Sequence, residues 1–272
     1  MVISFLRLTG NRKFIRKDIT TLAKLKKIGV QLYTIRDFMN NEEDIKTSFE
    51  KLKKMGFDEV QTAGCAVPFD VFGKLAKEAG LTIVGTHDDF GMMCDNPEKA
   101  MKLHDDLGTK LMGIGGFWAD NLEGYLDFIE KANKLCRVIG PKGYKFTYHH
   151  HSHEFMKFNG KLAIDYLIEG LDKNYASFVM DTYWVQNAGG DVREWLNKLR
   201  GRIDVLHLKD MAYGKDGSFI TEIGNGNIYW EGVIATAIDT GVKSFVVEQD
   251  NWPGNPFDSL QQSMDYLRAN FM

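Results

Sequence analysis

The chain predicts a (β/α)8 barrel in a single domain, on three observations. Short apolar runs alternate with longer stretches of helical spacing from Ile28 to the C-terminus. Eight such runs fit into residues 28–272, close to the ~250 residues that eight strand–helix units usually occupy. No Pro/Ser-rich linker or break in composition divides them. A doubly wound open sheet would want a phosphate-binding glycine loop after an early strand, and IGVQLYTIRD offers none.

The expected strands are residues 28–33 (IGVQLY), 57–62 (FDEVQT), 81–86 (LTIVGT), 110–115 (KLMGIG), 144–149 (YKFTYH), 176–181 (ASFVMD), 203–208 (IDVLHL) and 243–248 (KSFVVE). Between them lie amphipathic helices such as EEDIKTSFEKLKKMG, VFGKLAKEAG and NLEGYLDFIEKANKLCRVIG, each ending in a glycine suited to a helix C-cap. MGFDEV, AGLTIV, LGTKLMG and TGVKSFVV repeat one pattern: helix end, glycine, short loop, strand. MGIGGFWAD is glycine-rich but opens no dinucleotide-binding pattern, so it reads as a tight strand–helix turn.

Residues 1–27 are expected to form a basic leader or extension ahead of the barrel at 28–272. Asp18, Lys24, Lys26 and Lys27 interrupt any apolar export region there, so a cytoplasmic protein is expected, with export through a degraded signal as the alternative. No run reaches the roughly 18 apolar residues of a membrane span. A formal net charge of -3 supplies no positive field for a polyanion, which argues against nucleic acid and for a neutral or anionic small molecule. Three cysteines, Cys65, Cys94 and Cys136, are widely spaced and suggest neither a disulfide framework nor a structural zinc site.

In such a barrel, chemistry belongs at the C-terminal ends of the strands. There KFTY runs into His149, ASFVM into Asp181, IDVL into His207 and KSFVV into Glu248, and earlier strands bring Tyr33, Gln61 and His87. The stretch KFTYHHHSHEF holds four histidines, and strand alternation divides them: His149 and His151 point into the barrel while His150 faces the helices. His150 and His153 are then solvated or stand behind the site, and His104 in EKAMKLHDDLG is expected on the surface. Carboxylates and imidazoles converging on one mouth are costly to bury without a cation. One divalent metal ion resolves that cost, and a mixed set of His149, Asp181, His207 and Glu248 suits Mn²⁺, Zn²⁺, Co²⁺ or Fe²⁺ better than Ca²⁺, with Mg²⁺ also allowed.

Taken together, IGVQLYTIRD, YHHHSHEF, MDTYWVQNAGGD, IDVLHLKDM, EIGNGNIYW and FVVEQDNW resemble, in order, the sugar phosphate isomerase/epimerase family of xylose-isomerase-like TIM barrels, related to inosose dehydratases. The resemblance runs from Ile28 to Arg268. It implies one divalent metal held from strands five to eight, with Asp181, His207 and Glu248 as ligands and Gln249 and Asp250 beside the last. It also implies a metal-dependent isomerase or epimerase acting on a keto-sugar or related polyol through a metal-stabilised enediolate. An inosose-type dehydratase or a keto-glycoside-processing enzyme would use the same metal site, and a non-catalytic sugar-binding barrel is a further alternative.

Glu248 is the first candidate base, with Glu154 or a histidine on the opposite face; Lys209 reads either as an electrophile or as a rim lysine paired with Asp210. His87, His151, Trp184 and Tyr33 are candidate substrate contacts. Trp118, Trp230 and Trp252 either stack on sugar faces, like Trp184, or pack. Two positions depart from the pattern: His149 and Gln61 stand where many members carry Glu. A nuclease on the same barrel would need three zinc ions and a basic face that this chain lacks. The expected partner is a small sugar or cyclitol, with no membrane and no nucleic acid; a homo-oligomer is compatible with the sequence.

Overall fold

The computed structural model describes residues 24–272. Most of the expected leader, residues 1–23, lies outside them. At the first described turn of chain Leu25 is buried, and its N–H donates to the Phe271 carbonyl at 2.7 Å.

Eight parallel strands form one sheet: β1 (Gly29–Gln31), β2 (Glu59–Gln61), β3 (Thr82–Ile83), β4 (Leu111–Ile114), β5 (Lys145–His149), β8 (Ala176–Asp181), β9 (Ile203–Leu208) and β12 (Ser244–Val247). Two antiparallel ribbons leave it: β6 (Lys157–Phe158) with β7 (Lys161–Leu162), and β10 (Asp210–Gly214) with β11 (Gly217–Thr221). The sheet order β3-β2-β1-β12-β9-β8-β5-β4 joins the last strand to the first, which is the closure of a barrel. At the remaining seam the Asp88 N–H donates to the Gly113 carbonyl at 2.8 Å and the Gly113 N–H to Thr86 Oγ1 at 3.2 Å. Only glycine permits that approach, because a Cβ at position 113 would stand 2.2 Å from the Thr86 carbonyl oxygen and 2.3 Å from Thr147 Oγ1.

The helices are α1 (Glu42–Met55), α2 (Phe69–Glu78), α3 (Phe90–Asp95), α4 (Pro97–Leu107), α5 (Leu122–Ile139), α6 (Ala163–Gly170), α7 (Thr182–Asn187), α8 (Val192–Lys198), α9 (Trp230–Thr240) and α10 (Pro256–Phe271). Their ends follow local chemistry. Asn41 caps α1 by accepting from the N–H groups of Glu43 and Asp44, and Gly56 ends it in the left-handed region at φ 98°. The buried face of α1, Ile45, Phe49 and Leu52, packs into the layer between sheet and helices that forms the main core.

Inside the barrel, Val179, Val205 and Val246 form a small separate cluster with Val84 and Leu111 against it. Two residues further along the chain from each valine come Asp181 and His207 within their strands and Glu248 just past the end of β12. Because side chains alternate, the valine layer is the dry floor on which those polar groups stand.

All eight expected strands form, 176–181 and 203–208 with the expected limits and the others shortened at their ends. Tyr33 falls beyond β1 in a 3-10 turn, Leu32–Phe38, whose start is fixed by Gln31 Oε1 accepting from the Tyr33 N–H. His104, expected on the surface, is fully buried: Nδ1 bonds the Ala100 carbonyl at 2.8 Å, and Nε2 lies 2.9 Å from Thr86 Oγ1 and 3.3 Å from Asp88 Oδ2. Helical spacing placed it correctly on α4 but could not show that this face of α4 meets the loop after β3.

Candidate active site

Four strand ends converge. His149, Asp181, His207 and Glu248 are all buried, and each offers one ligand atom within 4.8 Å of the others. The imidazoles are oriented from behind. His149 Nδ1 donates to the Gly115 carbonyl at 3.1 Å, leaving Nε2 3.5 Å from Asp181 Oδ2. His207 Nε2 contacts Gln61 Oε1 at 2.6 Å, leaving Nδ1 2.8 Å from Glu248 Oε2 and 3.7 Å from Asp181 Oδ2. Gln61 is itself held by the side-chain amide of Gln31 at 3.0 Å. Outer hydrogen bonds that fix which ring nitrogen faces inward are the usual support of metal-ligating histidines.

The inward atoms fit a divalent cation. His149 Nε2, Asp181 Oδ2, His207 Nδ1 and Glu248 Oε2 are each buried and make no hydrogen bond. Such orphaned groups are costly unless something else satisfies them. Lys209, buried, is the cation already there: its ammonium lies 2.8 Å from Glu248 Oε2, 3.1 Å from Asp181 Oδ2 and 3.0 Å from Asp250 Oδ1. The first two are ion pairs without directed hydrogen-bond geometry. Three carboxylates thus converge on one ammonium, and a divalent ion would supply the positive charge that this balance lacks. Two imidazole nitrogens with two carboxylate oxygens suit Mn²⁺, Zn²⁺, Co²⁺ or Fe²⁺.

Burial alone would raise the carboxyls of Asp181 and Glu248, but the Lys209 ammonium and the neighbouring imidazoles outweigh it and hold both well below the usual range. Burial alone would lower His207, yet Glu248 and Asp181 outweigh it and raise its pKa. A proton would therefore compete with a divalent ion for His207 Nδ1. Lys209 is pushed upward the same way: burial opposes its charge, and Asp181, Glu248 and Asp250 more than compensate. Its partners are these three and not Asp210, whose carboxylate instead accepts from four backbone N–H groups and from Trp230 Nε1.

Above the cluster opens a cavity of about 480 Å³ whose lining includes Tyr33, His87, His149, His151, Lys209 and Glu248. That volume suits a molecule of sugar size. His87 stacks on His149 with ring centres 5.0 Å apart, and burial, then the nearby imidazoles, lower its pKa well below the ordinary value. Burial and His149 push His151 down to about 2. Both rings are therefore neutral, and His87 Nε2 and His151 Nδ1 are buried without partners.

The other expected residues fall around this cavity. His150 is buried, not solvated; its Nε2 accepts from the Asp181 N–H at 3.1 Å, and burial pushes its pKa down to about 4. His153 Nε2 bonds the Phe117 carbonyl at 2.8 Å, stacked on His151. Glu154 is fully buried and does not line the cavity: it accepts from Tyr148 Oη at 2.7 Å and from the His151 N–H at 2.8 Å. Burial pushes its pKa up to about 8. Trp184 lines a neighbouring cavity with Trp252. Trp230 is buried in the core, and Trp118 is exposed beside His153. Arg36 and Asp88 also line the main cavity. Sequence reasoning missed both, since neither ends an apolar run.

A family model described as xylose isomerase-like TIM barrel matches residues 49–270. Among curated proteins, the chain is 26% identical over 172 residues to inosose dehydratase of Clostridium perfringens, covering 56% of this chain and 57% of that protein. It is 27% identical over 165 residues to inosose dehydratase of Salmonella typhimurium, covering 53% and 54%. The matches thus span little more than half the length of these relatives. Among solved structures, a sugar phosphate isomerase/epimerase from Parabacteroides distasonis superposes with a TM-score of 0.79 at 20% identity, covering 92% of this chain and 95% of that one. A D-allulose 3-epimerase from Methylomonas gives a TM-score of 0.67 at 12% identity, covering 92% and 99%. At these identities the structural likeness speaks for the fold alone. Fold, strand-end cluster and family model agree: the chain belongs to the xylose isomerase-like TIM barrel family.

Proposed function

We propose that the protein is a metal-dependent isomerase or epimerase that moves a proton beside the carbonyl of a keto-sugar or related polyol. The observation that carries this reading is the set of four buried side-chain atoms, none of them hydrogen-bonded, facing one another at the floor of a sugar-sized cavity. His149, Asp181, His207 and Glu248 would hold one divalent ion, which when bound supplies Lewis-acid polarisation of a carbonyl.

The chain's own groups do the rest. Glu248, ionised because Lys209 and His207 outweigh its burial, is placed to take the proton next to the carbonyl. The Lys209 ammonium is positioned to donate to negative charge developing on a substrate oxygen. His87 and His151, neutral and with free ring nitrogens, serve as hydrogen-bonding groups for substrate hydroxyls or as the proton donor on the opposite face. Glu154 acts behind His151, fixing the loop through its backbone N–H.

A second reading, a dehydratase that eliminates a β-hydroxyl after the same proton removal, is favoured by one observation. Glu154 does not reach the cavity, so among the described residues no second glutamate stands opposite Glu248 for a symmetric exchange of protons. The test is deuterium wash-in from D₂O across a panel of keto-sugars and inososes with metal-loaded protein. Incorporation at the carbon beside the carbonyl is expected, with Glu248→Gln reducing it by on the order of 10² to 10⁴ while keeping part of the metal. Undiminished exchange in metal-loaded Glu248→Gln would remove the base from that position. Product structure then separates isomerisation or epimerisation from dehydration.

A further inference from the structure

Beside the main cavity lies a second, of about 520 Å³, walled by Trp184, Phe219 and Trp252 above Glu222 and Gln249. Asp250 and Asn251 line both, so the two spaces adjoin at the loop after β12. One wall is the β10–β11 hairpin, which supplies residues 218–221. We propose that this second cavity is a subsite for a second sugar ring, so that the natural substrate is a disaccharide or larger glycoside with one ring over the strand-end cluster and the next on the aromatic wall. The proposal rests on the reading of the main cavity as a sugar site and names the substrate class of that site.

Three features favour a sugar ring as occupant. Phe219 is 49% exposed and Trp252 half-buried, and neither stacks on another aromatic ring among the described residues, which leaves Phe219 and one face of Trp252 available. Arg36 covers one face of Trp252 at 4.8 Å from the ring centre and is tied by Nη2 to the Asp250 carbonyl at 3.1 Å, which fixes the indole at the junction. The polar requirement of hydroxyls is met as well: Trp184 Nε1 is buried without a partner, and Asn251, at the junction, makes no side-chain hydrogen bond among the described residues. Aromatic faces beside a few fixed polar groups form the usual composition of a small-molecule site.

A third cavity, lined by Phe90, Phe117 and Trp118, adjoins the main one on the other side, but its aromatic rings are already engaged. There Phe90 and Phe117 already pack on Phe128, Trp118 on His153, and His153 Nε2 is bonded to the Phe117 carbonyl.

Isothermal titration of the metal-loaded protein tests the subsite without requiring turnover. The probes are D-glucose, the glucose disaccharides cellobiose, maltose and trehalose, and phenyl β-D-glucoside. At least one disaccharide is expected to bind on the order of tenfold or more tightly than D-glucose. The gain should vanish in the Phe219→Ala, Trp252→Ala double variant, whose side chains are exposed enough to be removed without a core defect. Disaccharides binding no better than D-glucose, no binding by any probe, or a gain that survives the double variant would each overturn the proposal. A gain confined to the phenyl glucoside would overturn the assignment to a sugar. Deuterium exchange on the same protein fails or succeeds separately, so loss of the proton-transfer reading is told apart from loss of the subsite.

Discussion

Gln61 shows how much a single residue behind the site can decide. Its Oε1 faces His207 Nε2 at 2.6 Å, which leaves Nδ1 as the inward atom. Gln61→Leu keeps the volume and removes the acceptor, so divalent-metal affinity should fall by roughly 10- to 100-fold; a chelator-competition titration reads this, and unchanged affinity would mean that the ring holds its orientation unaided. Glu154 gives a prediction in pH. Its carboxyl is raised in the folded protein to about 8, whereas the unfolded chain releases the proton near the ordinary value of 4.5. Stability is therefore lost as pH rises between those values, because deprotonation favours the unfolded chain. Glu154→Gln does not titrate, so the difference in melting temperature between variant and wild type should move in the variant's favour from pH 5 to pH 8. A difference independent of pH would place the titration elsewhere. At this scale the sequence marked the four inward groups that converge, since each ends an apolar run whose parity is fixed. The orienting groups Gly115, Gln31 and Asp181's partner His150 were not legible, because they are set by which strands become neighbours.

The strands were legible for a related reason. A parallel barrel strand is buried on both faces and must be an apolar run, while its helix must be amphipathic, so the two signals alternate clearly. The ribbons β6–β7 and β10–β11 gave no such signal: Tyr213 and Phe219 on the latter are exposed, and its pairing follows from a turn at residues 214–217 instead of from core burial. Asp210 was read only as a potential partner of Lys209, yet it anchors the chain between β9 and α9 through five donors. The seam between β3 and β4 depends on Gly113 in the same way that a ladder depends on its backbone bonds. Gly113→Ala would force a methyl against the Thr86 carbonyl and Thr147 Oγ1. It should cost about 1–3 kcal/mol or more in chemical denaturation. A neutral substitution would show that this seam yields without loss.

For the whole molecule, one architectural fact organises the rest: eight strands end at one mouth over a floor of valines, and the polar groups above that floor cannot all be satisfied by one another. No helix among the described residues is long and apolar enough to cross a membrane. A bound ion should stabilise the fold by mass action, by about 2.7 kcal/mol at a free metal concentration a hundredfold above its dissociation constant. Thermal melts with and without added Mn²⁺ or Zn²⁺ would show it as a concentration-dependent rise, absent in Asp181→Ala. The measurement that bears most directly on the central claim is elemental analysis of purified protein after exhaustive dialysis. About one divalent transition-metal ion per chain is expected, held by His149, Asp181, His207 and Glu248, and lost in the Asp181→Ala, His207→Ala double variant. Full occupancy surviving in that variant, or a folded wild-type chain that takes up no ion when one is supplied, would contradict the account.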